Sequence, residues 1–219
     1  MEHVTRDAQA SDATEIAKLA YLAGRSHVQL SMYDLMVEGP AGMTDERIDT
    51  MAKIVAADAL SWMNYRYYHV VEVDGKVASG LATFTPEEAT NKQFGKAMME
   101  IGWGVMDMLE MSRRMKIWSK VDPGREPGYL TVENVATFEE YRGNGFTKEL
   151  LAQAKERARA GGFKGLQLTV FIGNEPAIMA YEHAGFKMVK TKENKKFEKV
   201  FLTPGAGQML LEFQEGDGE

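Results

Sequence analysis

A short stretch with two glycines, residues 142–147 (Arg-Gly-Asn-Gly-Phe-Thr), joins an apolar run ending near Phe138 to a helical run beginning near Lys148. Backbone N–H groups in the first turn of a helix have no acceptor within the helix, and the helix dipole makes that end positive. Because glycine lets the backbone approach an anion closely, a strand, a glycine-bearing turn and a helix start favour phosphate binding. By itself the stretch suits any phosphate, although its glycines stand too close together for the eight-residue ATP phosphate loop.

Two strands and a helix must position this turn. The sequence predicts a strand over residues 129–138, a helix over residues 145–160 that a glycine pair ends, and a second strand over residues 166–171. Strands joined through one helix form a βαβ crossover, so we expect this pair to be parallel and right-handed. Pro176 then opens a short helix that runs through His183.

The remaining segments supply further helices and antiparallel strands. Upstream, the patterns predict a strand at residues 3–6, a helix after a capping box from Asp12 to Glu15, a helix from Thr44 to about Met63, and a hairpin of residues 67–73 and 77–84 around Asp74-Gly75. They then predict a helix over residues 87–118, a loop over residues 121–128, and an antiparallel pair at 186–191 and 208–213 joined by a charged loop.

These elements predict an α/β fold of the mixed α+β kind. We expect a single domain over residues 1–213, with helices on both faces of a mostly antiparallel sheet that contains one parallel pair. Residues 86–128 form a helical insert to which the sequence assigns no role. Residues 214–219 carry three acidic side chains, and we expect a disordered tail there.

Composition excludes several classes of function. The chain has no cysteine, which removes disulfides, thiolate nucleophiles and cysteine-based metal sites, and its four histidines show no ligand spacing, so we expect no metal. A net charge of -6 provides no basic face for nucleic acid. No apolar run approaches the roughly 18 residues that span a bilayer, and the first residues have no apolar signal region. We therefore expect a cytoplasmic protein with no membrane or nucleic-acid partner.

Two blocks of residues carry a resemblance to a known family. The first runs from Val135 to Gly145 and precedes a helix; the second holds Asn174-Glu175-Pro176-Ala177 and ends at Gly185-Phe186. Over about residues 130–187 the chain resembles the GNAT superfamily of acetyl-CoA-dependent N-acetyltransferases. The family's pyrophosphate signature places Arg or Gln, then Gly, then Gly or Ala where this chain has Arg142, Gly145 and Thr147. Thr147 departs from that pattern and fits if its hydroxyl faces phosphate.

The resemblance implies a three-layer α/β/α fold in which the strand before the turn splays from its parallel neighbour in a V. In the family, backbone groups of this strand bond the pantetheine amides, and a substrate amine attacks the thioester directly. The resemblance implies that Tyr181 protonates the departing CoA thiolate, although a tyrosine there also suits helix packing. It implies that acetyl-CoA is the acyl donor and that the following residues bind it: Val135, Ala136, Thr137, Arg142, Gly143, Asn144, Gly145, Phe146, Thr147, Asn174 and Tyr181.

A general base and an acceptor are less defined by the sequence. Some family members use a Glu where this chain has Thr169, which cannot accept a proton; Glu133 on the preceding strand is a candidate substitute, or an ordinary exposed residue. We expect the acceptor to be a primary amine of a small molecule or peptide. Acidic residues at positions 34, 38, 87 and 88 can attract a cationic amine, and the Met-rich insert can be an acceptor pocket, ordinary core or a homodimer face.

Two alternatives stay open at this point. The chain can be a non-catalytic acyl-CoA-binding sensor, or an interaction module that keeps the fold without the ligand. Retention of Tyr181 favours the enzyme, whereas Thr147 and Thr169 leave the alternatives open.

Overall fold

A computed structural model describes residues 2–214, which contain seven strands and eight α-helices. The strands are β1 (His3–Asp7), β2 (Tyr68–Val73), β3 (Lys76–Phe84), β4 (Tyr129–Thr137), β5 (Gly165–Phe171), β6 (Lys187–Glu193) and β7 (Gly205–Glu212). The helices are α1 (Ala13–Arg25), α2 (Met32–Met36), α3 (Asp45–Ala56), α4 (Asn91–Glu100), α5 (Val105–Met115), α6 (Phe146–Ala160), α7 (Glu175–His183) and α8 (Lys195–Phe201).

The strands form one open sheet in the order β1-β2-β3-β4-β5-β7-β6. Every neighbouring pair is antiparallel except β4 and β5, which are parallel and joined through α6. The β2–β3 hairpin turns at Asp74 and Gly75, whose φ angles of 50° and 77° match the turn that this dipeptide favours. The predicted mixed fold, with its single parallel pair, is therefore confirmed.

Helices cover both faces of the sheet because neighbouring strand residues point to opposite faces. Val70 of β2 packs in a core with α1 and α3, while its neighbour Val71 packs in a second core with α6. A third, smaller cluster forms around Phe171 at the end of β5, where α8 packs. The site described below lies where these cores meet, at the ends of β4 and β5.

The end of α3 differs from the sequence prediction. The predicted helix from Thr44 begins as expected, with the Thr44 side chain accepting from the Arg47 N–H group, but it ends at Ala56 instead of near Met63. The buried Asn64 side chain donates to the carbonyl oxygens of Ala57 at 2.6 Å and Ala59 at 3.2 Å, which holds these residues in a turn. Side-chain bonds of this kind compete with helix hydrogen bonds.

The predicted long helix of the insert is interrupted. Gly102 has a φ of 93°, and the chain between α4 and α5 turns at residues 101–104. Asp107 accepts from the Gly104 N–H group at 2.7 Å and so starts α5. The insert therefore contains two short α-helices in place of one long helix.

Two smaller predictions are also corrected. Asp12 precedes α1, yet its carboxylate accepts from the Gln9 N–H group and pairs with Arg6 at 2.7 Å instead of capping that helix. The charged loop between β6 and β7 contains α8, whose Phe197 and Phe201 are buried and stack at 4.4 Å.

Residues 215–219 of the predicted tail lie outside the described residues. Within residues 2–214, no helix is both long and apolar enough to cross a membrane.

Candidate active site

Strands β4 and β5 separate soon after they begin. Three residues at the start of β4, Tyr129 to Thr131, pair in parallel with three at the start of β5, and no further ladder pair joins the strands within residues 2–214. β4 nevertheless continues over residues 132–137 and β5 over residues 168–171. The edges that face each other across this gap therefore offer backbone N–H and C=O groups to a partner other than the neighbouring strand.

A bulge in β4 accompanies this separation. Asn134 and Val135 together oppose one β3 residue, Leu81, and Asn134 has a φ of 54°, a left-handed conformation that asparagine tolerates better than most residues. The Asn134 side chain accepts from the Tyr33 hydroxyl at 2.9 Å and donates to the Tyr68 hydroxyl at 2.7 Å. Burial raises the pKa of both tyrosines, so both hydroxyls keep their protons at neutral pH. Two buried hydroxyls thus fix the bulge.

The gap opens into one continuous cleft of about 1890 Å³. We call its two parts the donor half, lined by β4, the 142–147 turn and α7, and the acceptor half, lined by α2, α4, α5 and Arg125. All the predicted cofactor-binding residues line the donor half except Asn144. The Asn144 side chain instead donates to the Tyr141 carbonyl at 2.9 Å and stabilises the turn.

The turn before α6 has the backbone geometry of an anion cradle. Gly143 and Gly145 both have a φ of 81°, and a Cβ atom on either would meet no atom within 4 Å. The Glu149 N–H group bonds the Gly145 carbonyl, whereas the N–H groups of residues 143–148 bond no acceptor among the described residues. Open space, unbonded donors and the positive end of a 15-residue helix fit a pyrophosphate.

The Thr147 hydroxyl forms a bond within the protein. Its Oγ1 lies 3.2 Å from Thr137 Oγ1, which lies 2.8 Å from Ser79 Oγ. This chain of hydroxyls links the start of α6 to β4 and β3. The Thr147 side chain therefore links the start of α6 to the sheet through its bond with Thr137.

Tyr181 lies on α7 beside the gap. Its ring packs edge-on against Phe186 at 5.9 Å, and its hydroxyl bonds no other residue within the described part of the chain. Burial raises the pKa of Tyr181 to about 12. At neutral pH this group is therefore a protonated hydroxyl that faces the cleft with a proton to donate.

Asn174 connects the two sides of the cleft. It precedes α7, but its side chain does not cap that helix; it donates to Ser26 Oγ at 2.6 Å. Ser26 follows α1 with a φ of 56°, a conformation that few non-glycine residues adopt. The bond therefore holds the end of α1 against the start of α7.

Glu133 reaches the cleft from β4, with 22% of its side chain exposed, and forms an ion pair with Arg125. The Glu133 carboxylate raises the pKa of the Arg125 guanidinium, which keeps it charged. One carboxylate oxygen takes this bond, and the other bonds no described residue. Glu133 thus stands at the junction of the donor and acceptor halves.

The acceptor half is apolar and contains part of the Met-rich insert. Met98, Met108, Met111 and Met115 line it, whereas Met99 and Met106 are 56% and 62% exposed on the outer surface. Aromatic side chains that the sequence did not single out complete the wall, namely Tyr33, Trp62 and Phe94.

The acidic residues proposed to attract a cationic amine lie elsewhere, so that expectation is wrong. Asp34 is buried and pairs with Arg47 at 3.1 Å, and Glu38 pairs with Arg114 at 3.3 Å. Glu87 and Glu88 are exposed and do not line the cleft. Asp34 and Glu38 are therefore engaged in ion pairs within the protein, and the sequence alone did not indicate these pairs.

Comparison with known proteins identifies the class. The model of the acetyltransferase (GNAT) family matches residues 43–186, and the chain belongs to this family. The matched range includes the β2–β3 hairpin, the insert and both blocks of residues that carry the resemblance.

Individual relatives agree with this assignment. The chain is 31% identical over 80 residues to YycN and 30% identical over 80 residues to YdgE, both uncharacterized N-acetyltransferases of Bacillus subtilis. Each match covers 36% of this chain, and the chain spans about half the length (51%) of these curated relatives. An N-acetyltransferase structure from Staphylococcus aureus Mu50, 21% identical, superposes with a TM-score of 0.68 over 95% of this chain and 100% of that one, and shows the same fold.

The bulge generates a prediction for stability. Asn134→Gly removes both tyrosine bonds but accepts the left-handed backbone, whereas Asn134→Ala also adds the cost of a Cβ at positive φ. In urea unfolding we expect both variants to lose about 1–3 kcal/mol for the buried hydroxyls, with the alanine variant about 1 kcal/mol below the glycine variant. An alanine variant as stable as the glycine variant would contradict the strained bulge.

Proposed function

We propose that the chain is an N-acetyltransferase that transfers an acetyl group from acetyl-CoA to a primary amine of a small molecule or peptide. One observation carries the proposal: the freed edge of β4, the amide-rich turn before α6 and the Tyr181 hydroxyl all open into the same cleft. Family membership and the names of the curated relatives support it.

The donor half offers each part of acetyl-CoA a matching group. The N–H groups of residues 143–148 hold the pyrophosphate, with the exposed Arg142 beside them. The pantetheine arm is an extended chain with two amides, so it bonds the edge of β4 near Val135 and Thr137 as a neighbouring strand would. Asn174, whose amide already bonds Ser26, lies along the opposite wall.

The transfer requires two proton movements. Acetyl-CoA supplies the acetyl group as a thioester; a C–N bond forms to the neutral amine, the C–S bond breaks, and CoA leaves as a thiolate. Tyr181 donates the proton that the sulfur takes up. Its hydroxyl is protonated at neutral pH because burial raises its pKa to about 12. A backbone N–H group near Val135 stabilises the negative charge on the thioester oxygen.

The amine nitrogen must lose one proton in the same reaction. Glu133 is the carboxylate of the cleft that lies on β4 itself, next to the bulge, and it has one oxygen free of hydrogen bonds to described residues. We propose that Glu133 accepts this proton directly or through water. Its ion pair with Arg125 holds the carboxylate at this place in the cleft.

A glycine substitution tests the donor site. Gly145→Asp adds bulk and negative charge to the phosphate cradle, so we expect the stabilisation by acetyl-CoA in a thermal-shift assay to disappear. Gly75→Asp is a matched control, because Gly75 also has positive φ (77°), also has open space around it, and lies in the remote β2–β3 turn. Its variant should keep the wild-type shift. Retained binding in Gly145→Asp would place the phosphate elsewhere.

The proton donor is tested by kinetics. Tyr181→Phe should lower kcat for CoA release about 100-fold while leaving the acetyl-CoA affinity nearly unchanged, since it removes a group that acts on the leaving sulfur. Tyr129→Phe removes a hydroxyl that bonds Glu212 outside the cleft and should keep the wild-type rate. Equal rates in all three proteins would remove Tyr181 from the mechanism. Acetyl-CoA binding without CoA release across an amine panel would favour the sensor alternative.

A further inference from the structure

We infer that Arg125 forms a carboxylate-binding subsite in the acceptor half, so that the acceptor is an α-amino acid with an apolar side chain. This inference rests on the proposed function and names its acceptor class. It starts from the charge of the acceptor half. Cationic side chains outnumber anionic ones there; the cations are Arg113, Lys116 and Arg125, and the anions are Asp122 and Glu133.

This balance disfavours a polycationic acceptor. A polyamine would bring several positive charges to a wall that is already positive, and like charges in a partly enclosed cleft repel strongly. An acceptor that carries both an amine and a carboxylate instead pairs each of its charges with an opposite one. Glu133 faces the amine, and Arg125 faces the carboxylate.

Arg125 has donors available for a carboxylate. One guanidinium nitrogen, Nη2, bonds Glu133, while Nε and Nη1 bond no acceptor among the described residues. The guanidinium stacks on the Phe84 ring with a distance of 5.3 Å to the ring centre, and 36% of the side chain is exposed. A planar guanidinium with unused N–H groups is the side chain best suited to bind a carboxylate through two bonds.

The backbone around Arg125 is held in place. Gln167, buried beneath the loop, accepts from the Glu126 N–H group at 2.7 Å and donates to the Glu126 carbonyl at 2.9 Å. On the other side, Lys192 donates to the Asp122 carbonyl at 2.7 Å, and Lys190 to the Pro123 carbonyl at 2.8 Å. Because the backbone of this loop is bonded on both sides, it does not have to be ordered when a ligand binds, which lowers the cost of binding.

The contact between Arg125 and Glu133 sets the distance between the two acceptor charges. Because these side chains touch, their remaining polar atoms serve an amine and a carboxylate that are close together. In an α-amino acid both groups are attached to one carbon. The rest of the acceptor then lies against the apolar wall of Met36, Trp62, Phe94, Met98, Met108 and Met111, which fits an aliphatic or aromatic side chain.

Ligand pairs that differ only in the carboxylate test this inference. The binding of each ligand to the full chain saturated with CoA would be measured by calorimetric titration. L-phenylalanine is compared with phenethylamine and phenylalaninamide, and L-leucine with isopentylamine. Agmatine serves as the polycationic ligand in both comparisons. We expect each amino acid to bind at least 10-fold more tightly than its carboxylate-free counterpart, and agmatine to bind most weakly. Arg125→Gln should abolish the preference by weakening the binding of the amino acids at least 10-fold without weakening the binding of the carboxylate-free amines, because it removes charge-assisted hydrogen bonds to the carboxylate.

Arg66→Gln is the matched control, since Arg66 also stacks on an aromatic ring, Tyr65 at 4.8 Å, but lies outside the cleft. Its variant should keep the wild-type preference. Carboxylate-free amines that bind wild-type protein as tightly as the amino acids would overturn the inference, and this comparison does not depend on the folding of any variant. An equal loss for both ligand classes in Arg125→Gln would also overturn it, because it would make Arg125 structural. CoA release is measured separately: amino-acid binding that depends on Arg125 but gives no release upholds the subsite and contradicts the transferase.

Discussion

The divergence of β4 from β5 is the constraint on which the site depends. A parallel pair normally continues along both strands, but here pairing stops after three residues, and the bulge at Asn134 bends β4 away. The cost of the left-handed asparagine is offset by two buried tyrosine hydroxyls that hold its amide from both sides. Without those two bonds the left-handed conformation of Asn134 would not be compensated, and β4 would stay paired with β5. The backbone groups that now face the gap would then form hydrogen bonds within the sheet.

The same bulge couples the two halves of the cleft. Tyr33 belongs to α2, which forms part of the acceptor wall, and Tyr68 belongs to β2 in the sheet. Asn134 bonds both, and its neighbour Glu133 meets Arg125 from the loop that follows the insert. Each side of the proposed reaction is thus anchored to the same few residues of β4. A change in the acceptor wall at Tyr33 is therefore also a change in the strand that we propose binds the donor.

Local patterns in the sequence predicted several elements well. The 142–147 turn, the helix after it and the β2–β3 hairpin depend on residues close together in the chain, and their glycine and capping signals are local. The bulge at Asn134 was not predicted because a single asparagine within a strand pattern does not indicate a bulge. The bulge is stabilised by two tyrosines that are distant from Asn134 in the sequence. Arg125 was missed because only the fold brings a loop arginine to Glu133. The end of α3 likewise depends on the side-chain bonds of Asn64. The burial of Asp34 depends on its ion pair with Arg47.

Hydrogen–deuterium exchange of the backbone amides, with and without acetyl-CoA, tests the central claim most directly. If the freed edge of β4 and the turn before α6 bind the ligand, protection should appear together at residues 132–137 and 143–148, while the remote edge strand β6 should be unchanged. Protection confined to other segments, with these two unaffected at saturating acetyl-CoA, would contradict the account.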